Sequence, residues 1–361
     1  MENILEFLYQ LNAEIHISDK IIFDAYAEIL TLSDKEKSNI FISILFTYLL
    51  INRKDPNIIA ELLKISFRKD NFTPYSKTCK IKSDTPVILS AGSGKKGIKT
   101  INISTVSAIV ATSLGAKILK PCSMATSSKS GSYDFLNMIG INTEINYDKT
   151  IELLNKCGLG IFPIEKIIPN FDKIYGNVFY SPNILSYALA ALICPIKPDI
   201  VLYGLAKNDI ELSGDVLKKF GVSNYRIVSS KYNEMYFMDE LNIFGKSFIL
   251  DNGQEKKELE FNKILNLKEY NILDIGQKKN REQNVKIALD ILNGKRWDAY
   301  AEIISLNTGN LLQMSGLAKT IEEGYRIAKL KIQSGLCIEH LKYIINETRG
   351  DTEKLNKLME G

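Results

Sequence analysis

From Thr85 to Gly140 the chain runs through an apolar strand, a glycine-rich turn, a helix, a second strand and a loop dense in serine. That order leaves few folds open. Thr85-Pro-Val-Ile-Leu-Ser90 is short, apolar and β-branched, and Gly92-Ser-Gly-Lys-Lys-Gly97 follows at once, as where a buried strand delivers backbone to a ligand. Thr100-Ile-Asn-Ile-Ser-Thr105 comes next, with Ser104 or Thr105 placed to cap a helix that continues to a stop near Gly115. A helix N-terminus then faces the glycine turn. Its N–H groups and positive dipole end favour an anion, and the two hydroxyls add donors.

Two better-known glycine motifs fail here. Gly92, Gly94 and Gly97 have the G-x-G-x-x-G spacing, but a dinucleotide site also wants an acidic residue about 20 positions on. The second strand, Ala116-Lys-Ile-Leu119, ends instead in Lys120-Pro-Cys. Ile98 separates Gly97 from Lys99-Thr100 and breaks the Walker A step.

Composition describes an ordinary globular chain. Its 361 residues are 45% hydrophobic, enough for a sizeable core and a second, smaller domain. The net charge of +4 comes from 46 basic and 42 acidic residues, a balance that argues against a nucleic-acid surface. Cys79, Cys122, Cys157, Cys194 and Cys337 are scattered without C-x-x-C spacing, as expected of reduced thiols in a cytoplasmic protein. The N-terminus lacks a signal-peptide pattern, and the greasiest run, Ile40 to Ile51, is too short to span a membrane.

The rest of the chain reads as α/β. Residues 1–72 form a helical domain, with a capping box at Ser33-Asp-Lys-Glu36 and a stop at Asp55-Pro56. A helical excursion near 168–193 rejoins that domain, and residues 73–361 form a larger α/β domain with a mixed, mainly parallel central sheet flanked by helices. Asp70 to Ser76 reads as a hinge strand. Ile200–Tyr203 and Tyr225–Val228 read as strands, and Glu282–Leu292, Tyr300–Leu312 and Ile321–Ser334 as amphipathic helices.

The motifs resemble those of the anthranilate phosphoribosyltransferases, relatives of the pyrimidine nucleoside phosphorylases. That family carries G-T-G-G-D-G, T-F-N-I-S-T, K-H-G-N-R and S-S-x-x-G-S-x-D in order. This chain has Gly92 to Gly97, Thr100 to Thr105, Lys120-Pro-Cys-Ser-Met124 and Ser127-Ser-Lys-Ser-Gly-Ser-Tyr-Asp134 with the spacing kept. Asp239-Glu240 stands where the family has D-G-L-D-E. The resemblance implies transfer of a 5-phosphoribosyl group from phosphoribosyl pyrophosphate to a small acceptor, with Mg²⁺ and a homodimer formed through the helical domain. It assigns the donor to Gly92, Ser93, Gly94, Lys95, Lys96, Thr100, Asn102, Ser104, Thr105, Lys120, Ser123, Ser127, Ser128, Lys129, Gly131 and Ser132. Ser104, Asp239 and Glu240 would hold the metal.

The departures fall on both sides of the site. Lys95 and Lys96 replace the family's Gly-Asp, so an anionic position becomes cationic; either lysine neutralises pyrophosphate directly, or the pair forms a solvated turn. Only the lysine of K-H-G-N-R survives. The family grips the anthranilate carboxylate with an arginine, yet there is none between Arg68 and Arg226, so a bidentate fork is lacking there. Cys122, Met124, Tyr133, Tyr180 and Tyr187 are candidates for a less charged acceptor pocket, with packing as the plain alternative for the tyrosines. Cys122 lacks a histidine between His16 and His340 to activate it, which favours a structural thiol. The leading expectation is a phosphoribosyltransferase whose acceptor is not anthranilate. A nucleoside phosphorylase and a non-catalytic relative are the alternatives.

Overall fold

The computed structural model describes residues 1–78, 81, 84–94, 97, 99–124 and 131–360. Its centre is an eight-stranded sheet formed by β1 (Val87–Gly92), β2 (Lys117–Cys122), β3 (Leu159–Pro163), β4 (Ile200–Gly204), β5 (Tyr225–Lys231), β6 (Phe237–Met238), β7 (Lys246–Asp251) and β8 (Lys257–Leu259). The order is β3-β2-β1-β4-β5-β7-β8, with β6 paired to β5. Strands β3 to β5 of that path are parallel, and β6, β7 and β8 join antiparallel. The sheet is thus mixed and mainly parallel.

The winding reverses between β1 and β4. From β1 the chain moves outward through β2 and β3, then returns to lay β4 on the other side of β1. In a parallel sheet the crevice beyond the strand ends at such a reversal is where ligands bind. Gly92 and Gly204, the last residues of β1 and β4, are paired in register at that point.

Helices α1 (Glu2–Asn12), α2 (Asp19–Ile29), α3 (Lys35–Asn52) and α4 (Pro56–Arg68) precede the sheet. They share one apolar core with the segment around Ile168 to Ile196 and with Leu89, Leu119, Val201 and Tyr203 on one sheet face. Phe46 of α3 stacks on Phe179 at 5.4 Å, and Asp70 accepts the amides of Asn170 and Phe171, so the excursion is fastened to the N-terminal helices. The opposite face packs on α5 (Ile103–Thr112) and the C-terminal helices. No helix among the described residues is long and apolar enough to cross a membrane.

Several local expectations change. The α3 cap is Asp34, whose carboxylate accepts the Lys37 amide at 3.1 Å, and not Ser33. The hinge strand is reduced to one bridge, Lys77 with Ile196, because Asn71 and Tyr75 turn with positive φ on either side of Pro74. The helix expected at Tyr300–Leu312 runs Ala299–Met314 and is buried from Ala299 through Leu312, so it is a core helix without a polar face. Two further helices, Cys337–Glu347 and Thr352–Glu360, close the chain.

Candidate active site

A cavity of about 180 Å³ opens at the reversal point, beyond the ends of β1 and β2. One end is polar: Gly92, Gly94, Lys99, Thr100, Asn102, Ser104, Thr105, Asp239 and Glu240 line it. The other end, where β2 and β3 finish, is mostly apolar, with Pro121, Cys122, Met124 and Ile164, and Ala190 of the helical turn packed on β1 also lines the cavity. Lys120, Ser123, Gly131, Ser132 and the apolar Ile101 complete the described lining.

The polar end is built by close backbone approach. Asp239 enters where β1 and β4 end in glycine; a Cβ on Gly204 would stand 1.9 Å from the Asp239 carbonyl oxygen, and one on Gly92 would stand 2.6 Å from its Oδ2. Only glycine leaves that space. Asp239 Oδ2 accepts the Gly94 N–H at 2.9 Å, and Gly94 sits at φ +58, so the start of the glycine turn is tied to the carboxylate. Ser93 braces the same turn. Its N–H donates to the Gly204 carbonyl and its hydroxyl accepts the Ala206 N–H, which places it behind the turn and outside the cavity lining.

The Asp239-Glu240 segment is held from the other side. Ser230 Oγ donates to the Glu240 carbonyl at 2.7 Å, and Asn307 of the buried helix exchanges hydrogen bonds with both backbone groups of Leu241. Glu240 is buried at 5% exposure while lining the cavity, so two adjacent carboxylates face one polar space.

Helix α5 begins two residues earlier than a Ser104 cap would start it. Asn102 is the cap position and makes no side-chain capping bond, while its carbonyl accepts the Thr105 and Val106 amides. Ser104 and Thr105 therefore lie in the first turn, on the cavity wall. The Thr100 hydroxyl is buried in the same wall and has no hydrogen-bond partner among the described residues. Lys120, at 4% exposure, donates to the Ser90 carbonyl at 3.1 Å from the floor of the site. Lys99 also lines the cavity. In the sequence Lys99 figures only in the broken Walker pattern, and the signal for its place here is a cation beside Thr100.

The apolar end holds fewer of the expected residues. Cys122 and Met124 line it, but Tyr133, Tyr180 and Tyr187 do not among its described lining. Tyr133 donates its hydroxyl to Glu144, Tyr180 is 72% exposed, and Tyr187 is buried with its hydroxyl donated to Asp209 Oδ2 at 2.8 Å. Their rings fill packing and surface positions. Burial pushes the Cys122 thiol up to about 12, with the negative charge of Glu165 adding to the effect and Lys120 opposing it. It is a wall residue and not a nucleophile at neutral pH. Glu165 follows the lining residue Ile164 and accepts the Met124 N–H at 2.8 Å. Burial raises its carboxyl above the ordinary range. Lys95, Lys96, Ser127, Ser128 and Lys129 lie outside the described residues.

A family model described as "Glycosyl transferase family, a/b domain" matches residues 84–338, which include the whole cavity lining. Along the full length, the chain is 26% identical over 362 residues to the anthranilate phosphoribosyltransferase of Bacillus mycoides (strain KBAB4), covering 97% of this chain and 99% of that protein. The chain belongs to the anthranilate phosphoribosyltransferase family. It is 28% identical over 268 residues to the Helicobacter pylori (strain Shi470) member, covering 72% of this chain and 74% of that one. The fold is shared with the crystal structure of the Thermus thermophilus enzyme, at TM-score 0.75, 19% identity and coverage of 97% and 100%. It is shared also with the Saccharomyces cerevisiae anthranilate phosphoribosyltransferase in complex with PRPP and Mg, at TM-score 0.77, 20% identity and coverage of 96% and 98%. As a member of the anthranilate phosphoribosyltransferase family, the chain is a pentosyltransferase.

Proposed function

We propose that the protein transfers the 5-phosphoribosyl group of phosphoribosyl pyrophosphate to a small acceptor other than anthranilate, releasing pyrophosphate. The observation that carries this reading is the division of one cavity into a donor-rich end with two carboxylates and a mostly apolar end whose nearest described cation, Lys120, donates to the Ser90 carbonyl. The polar end matches the donor. The first turn of α5, with Thr100, Asn102, Ser104 and Thr105, presents amide and hydroxyl groups to phosphate oxygens. The turn beginning at Gly92 and Gly94 adds backbone donors, and Lys99 and Lys120 supply positive charge, to which Lys95, Lys96 and Lys129 would add. Ser123, Gly131 and Ser132, with Ser127 and Ser128, would close over the sugar phosphate.

A Mg²⁺ ion suits the donor set. It takes oxygen ligands from one or two carboxylates and completes its shell with water and substrate phosphate, and Asp239, Glu240 and Ser104 offer that chemistry in one wall. Bound there, it would neutralise charge growing on the leaving pyrophosphate. The chain's own part is positioning and electrostatics: α5 and the glycine turn hold the phosphates while the apolar end presents the acceptor to the anomeric carbon.

The acceptor reading rests on what the apolar end lacks. A carboxylate in a mostly apolar site needs a cationic fork, and there is no arginine in residues 69–225 to supply one. Pyrophosphate release with Mg²⁺ and a panel of aromatic amines tests it: anthranilate should turn over at least about a hundredfold less efficiently than the preferred acceptor. Efficient turnover of anthranilate would end the non-anthranilate reading. Phosphate-dependent cleavage of nucleosides without Mg²⁺ would replace the transferase by a phosphorylase.

The reading also includes a homodimer and a domain boundary near residue 72. Tyr9 of α1 and Ile40 and Ile51 of α3 are 69%, 57% and 74% exposed, an apolar surface suited to a second copy. Sedimentation should give a dimer that Ile51→Lys weakens; a monomer at all concentrations would remove this element.

A further inference from the structure

We infer that Asn307 is a positioning residue for Mg²⁺-dependent donor binding: one turn of the buried helix Ala299–Met314 sets the spacing between the Asp239-Glu240 carboxylates and the Ser104 wall of the polar end. The inference rests on the transferase reading above and deepens its donor site.

Residues 239–242 belong to no helix or strand, yet Glu240, Leu241 and Asn242 are buried. Their backbone groups need partners from outside any regular ladder. Four in a row bond buried side chains. The Glu240 carbonyl accepts Ser230 Oγ at 2.7 Å, and the Leu241 N–H donates to Asn307 Oδ1 at 3.0 Å. The Leu241 carbonyl accepts Asn307 Nδ2 at 2.8 Å, and the Asn242 N–H donates to Ser247 Oγ at 3.2 Å. Ser230 and Ser247 belong to β5 and β7, on the sheet. Asn307 comes from the helix, and it grips the residue next to Glu240 by both backbone groups.

The same turn reaches α5. Asn307 Nδ2 also donates to the Ile303 carbonyl at 2.9 Å, which fixes the side chain on its own helix. Ser107 Oγ of α5 donates to the neighbouring Ile304 carbonyl at 3.2 Å, and Thr308 Oγ1 donates to the Ser107 carbonyl at 3.3 Å. Ser104 stands one turn before Ser107 on α5, in the cavity wall. Residues 303–308 are thus bonded on one side to the helix that carries Ser104 and on the other to the segment that carries the carboxylates. Between the two lies a chamber of about 30 Å³ lined by Ser104, Ser107, Asp239, Glu240 and Asn307. Mg²⁺ demands near-ideal octahedral geometry, so the spacing of its oxygen donors decides how well it binds. A residue behind such donors typically changes metal affinity by roughly 10- to 100-fold when it is replaced.

Asn307→Ser separates pairing from positioning. The shorter side chain does not span both Leu241 groups, but it widens a polar chamber that water can enter, so those groups stay hydrogen-bonded while their place is no longer fixed. Phosphoribosyl pyrophosphate is titrated calorimetrically, with and without Mg²⁺, into wild type, Asn307→Ser and Leu355→Ala. The last truncates a core residue of the terminal helix Thr352–Glu360, outside the cavity lining, and urea unfolding ranks the stability of all three. The gain in donor affinity on adding Mg²⁺ should fall about tenfold in Asn307→Ser, with affinity in the absence of Mg²⁺ changed by less than about threefold. Leu355→Ala should keep the wild-type gain. A gain retained by Asn307→Ser, or lost equally in Leu355→Ala, would make Asn307 a packing residue and overturn the inference. Should Asn307→Ser not fold, Asn307→Asp, which keeps the shape and the acceptor for the Leu241 N–H but lacks the amide donors, is judged by the same outcomes. Wild type without donor binding would bring down the transferase reading together with this role; a wild-type gain that survives the substitution brings down the role of Asn307 alone.

Discussion

The two ends of the cavity are made differently. At the polar end every wall is braced: Asp239 fits between Gly92 and Gly204, takes the Gly94 amide, and is followed by a segment that Ser230 and Asn307 hold. At the apolar end the loop after β2 is tied by its own amides, Met124 to Glu165 and the neighbouring Ser123 to Ser132 Oγ, while the lining side chains are small or flexible. The phosphates of a donor demand fixed geometry, and a site for them tolerates little change. An apolar pocket accepts replacement of its side chains as long as volume and charge suit the new ligand. Acceptor choice is therefore the property that can change within the fold.

Four perturbations set the ends against each other, from the largest effect down. With its thiol pushed up to about 12, Cys122 should react with iodoacetamide at pH 8 on the order of a thousandfold more slowly than free cysteine, in a mass-resolved time course. Fast labelling would make the apolar end a reactive site. Gly204→Ala puts a methyl group 1.9 Å from the Asp239 carbonyl and should cost about 3 kcal/mol in urea unfolding, with donor affinity lost alongside. A stable, donor-binding Gly204→Ala protein would show that the brace is dispensable. Asp239→Asn with Glu240→Gln keeps an acceptor for the Gly94 amide but removes two charges, and should weaken Mg²⁺-dependent donor binding about tenfold or more. Cys122→Ala should alter donor affinity by less than about threefold, because it trims the other end; a larger loss would join the two ends into one energetic unit.

Much of the polar end was legible in the sequence because its chemistry is local. Gly92, Thr100, Asn102, Ser104 and Thr105 follow one another on a strand, a turn and a helix start, so spacing alone brings them together. Asp239-Glu240 was found through the resemblance, since nothing local marks an acidic pair as part of a cavity that begins well over a hundred residues earlier. The apolar end was poorly legible. Tyr133, Tyr180 and Tyr187 drew attention as aromatics, yet packing and surface positions claimed them, while Ile164 and Glu165 carry no motif and come near Met124 only through the strand order. The buried helix Ala299–Met314 was misread as amphipathic because serine, threonine and asparagine at core positions look polar in sequence. In the fold Ser107 and Thr308 bond backbone groups across the contact with α5, and Asn307 bonds the backbone of Leu241 in the loop after β6.

The most direct test is calorimetric titration of the wild-type protein with phosphoribosyl pyrophosphate, with and without Mg²⁺. Saturable binding that strengthens with Mg²⁺ is the predicted result, as two carboxylates and a helix N-terminus in one cavity require. Absence of binding with Mg²⁺ present would contradict the assignment of the polar end to the donor, and with it the proposed reaction.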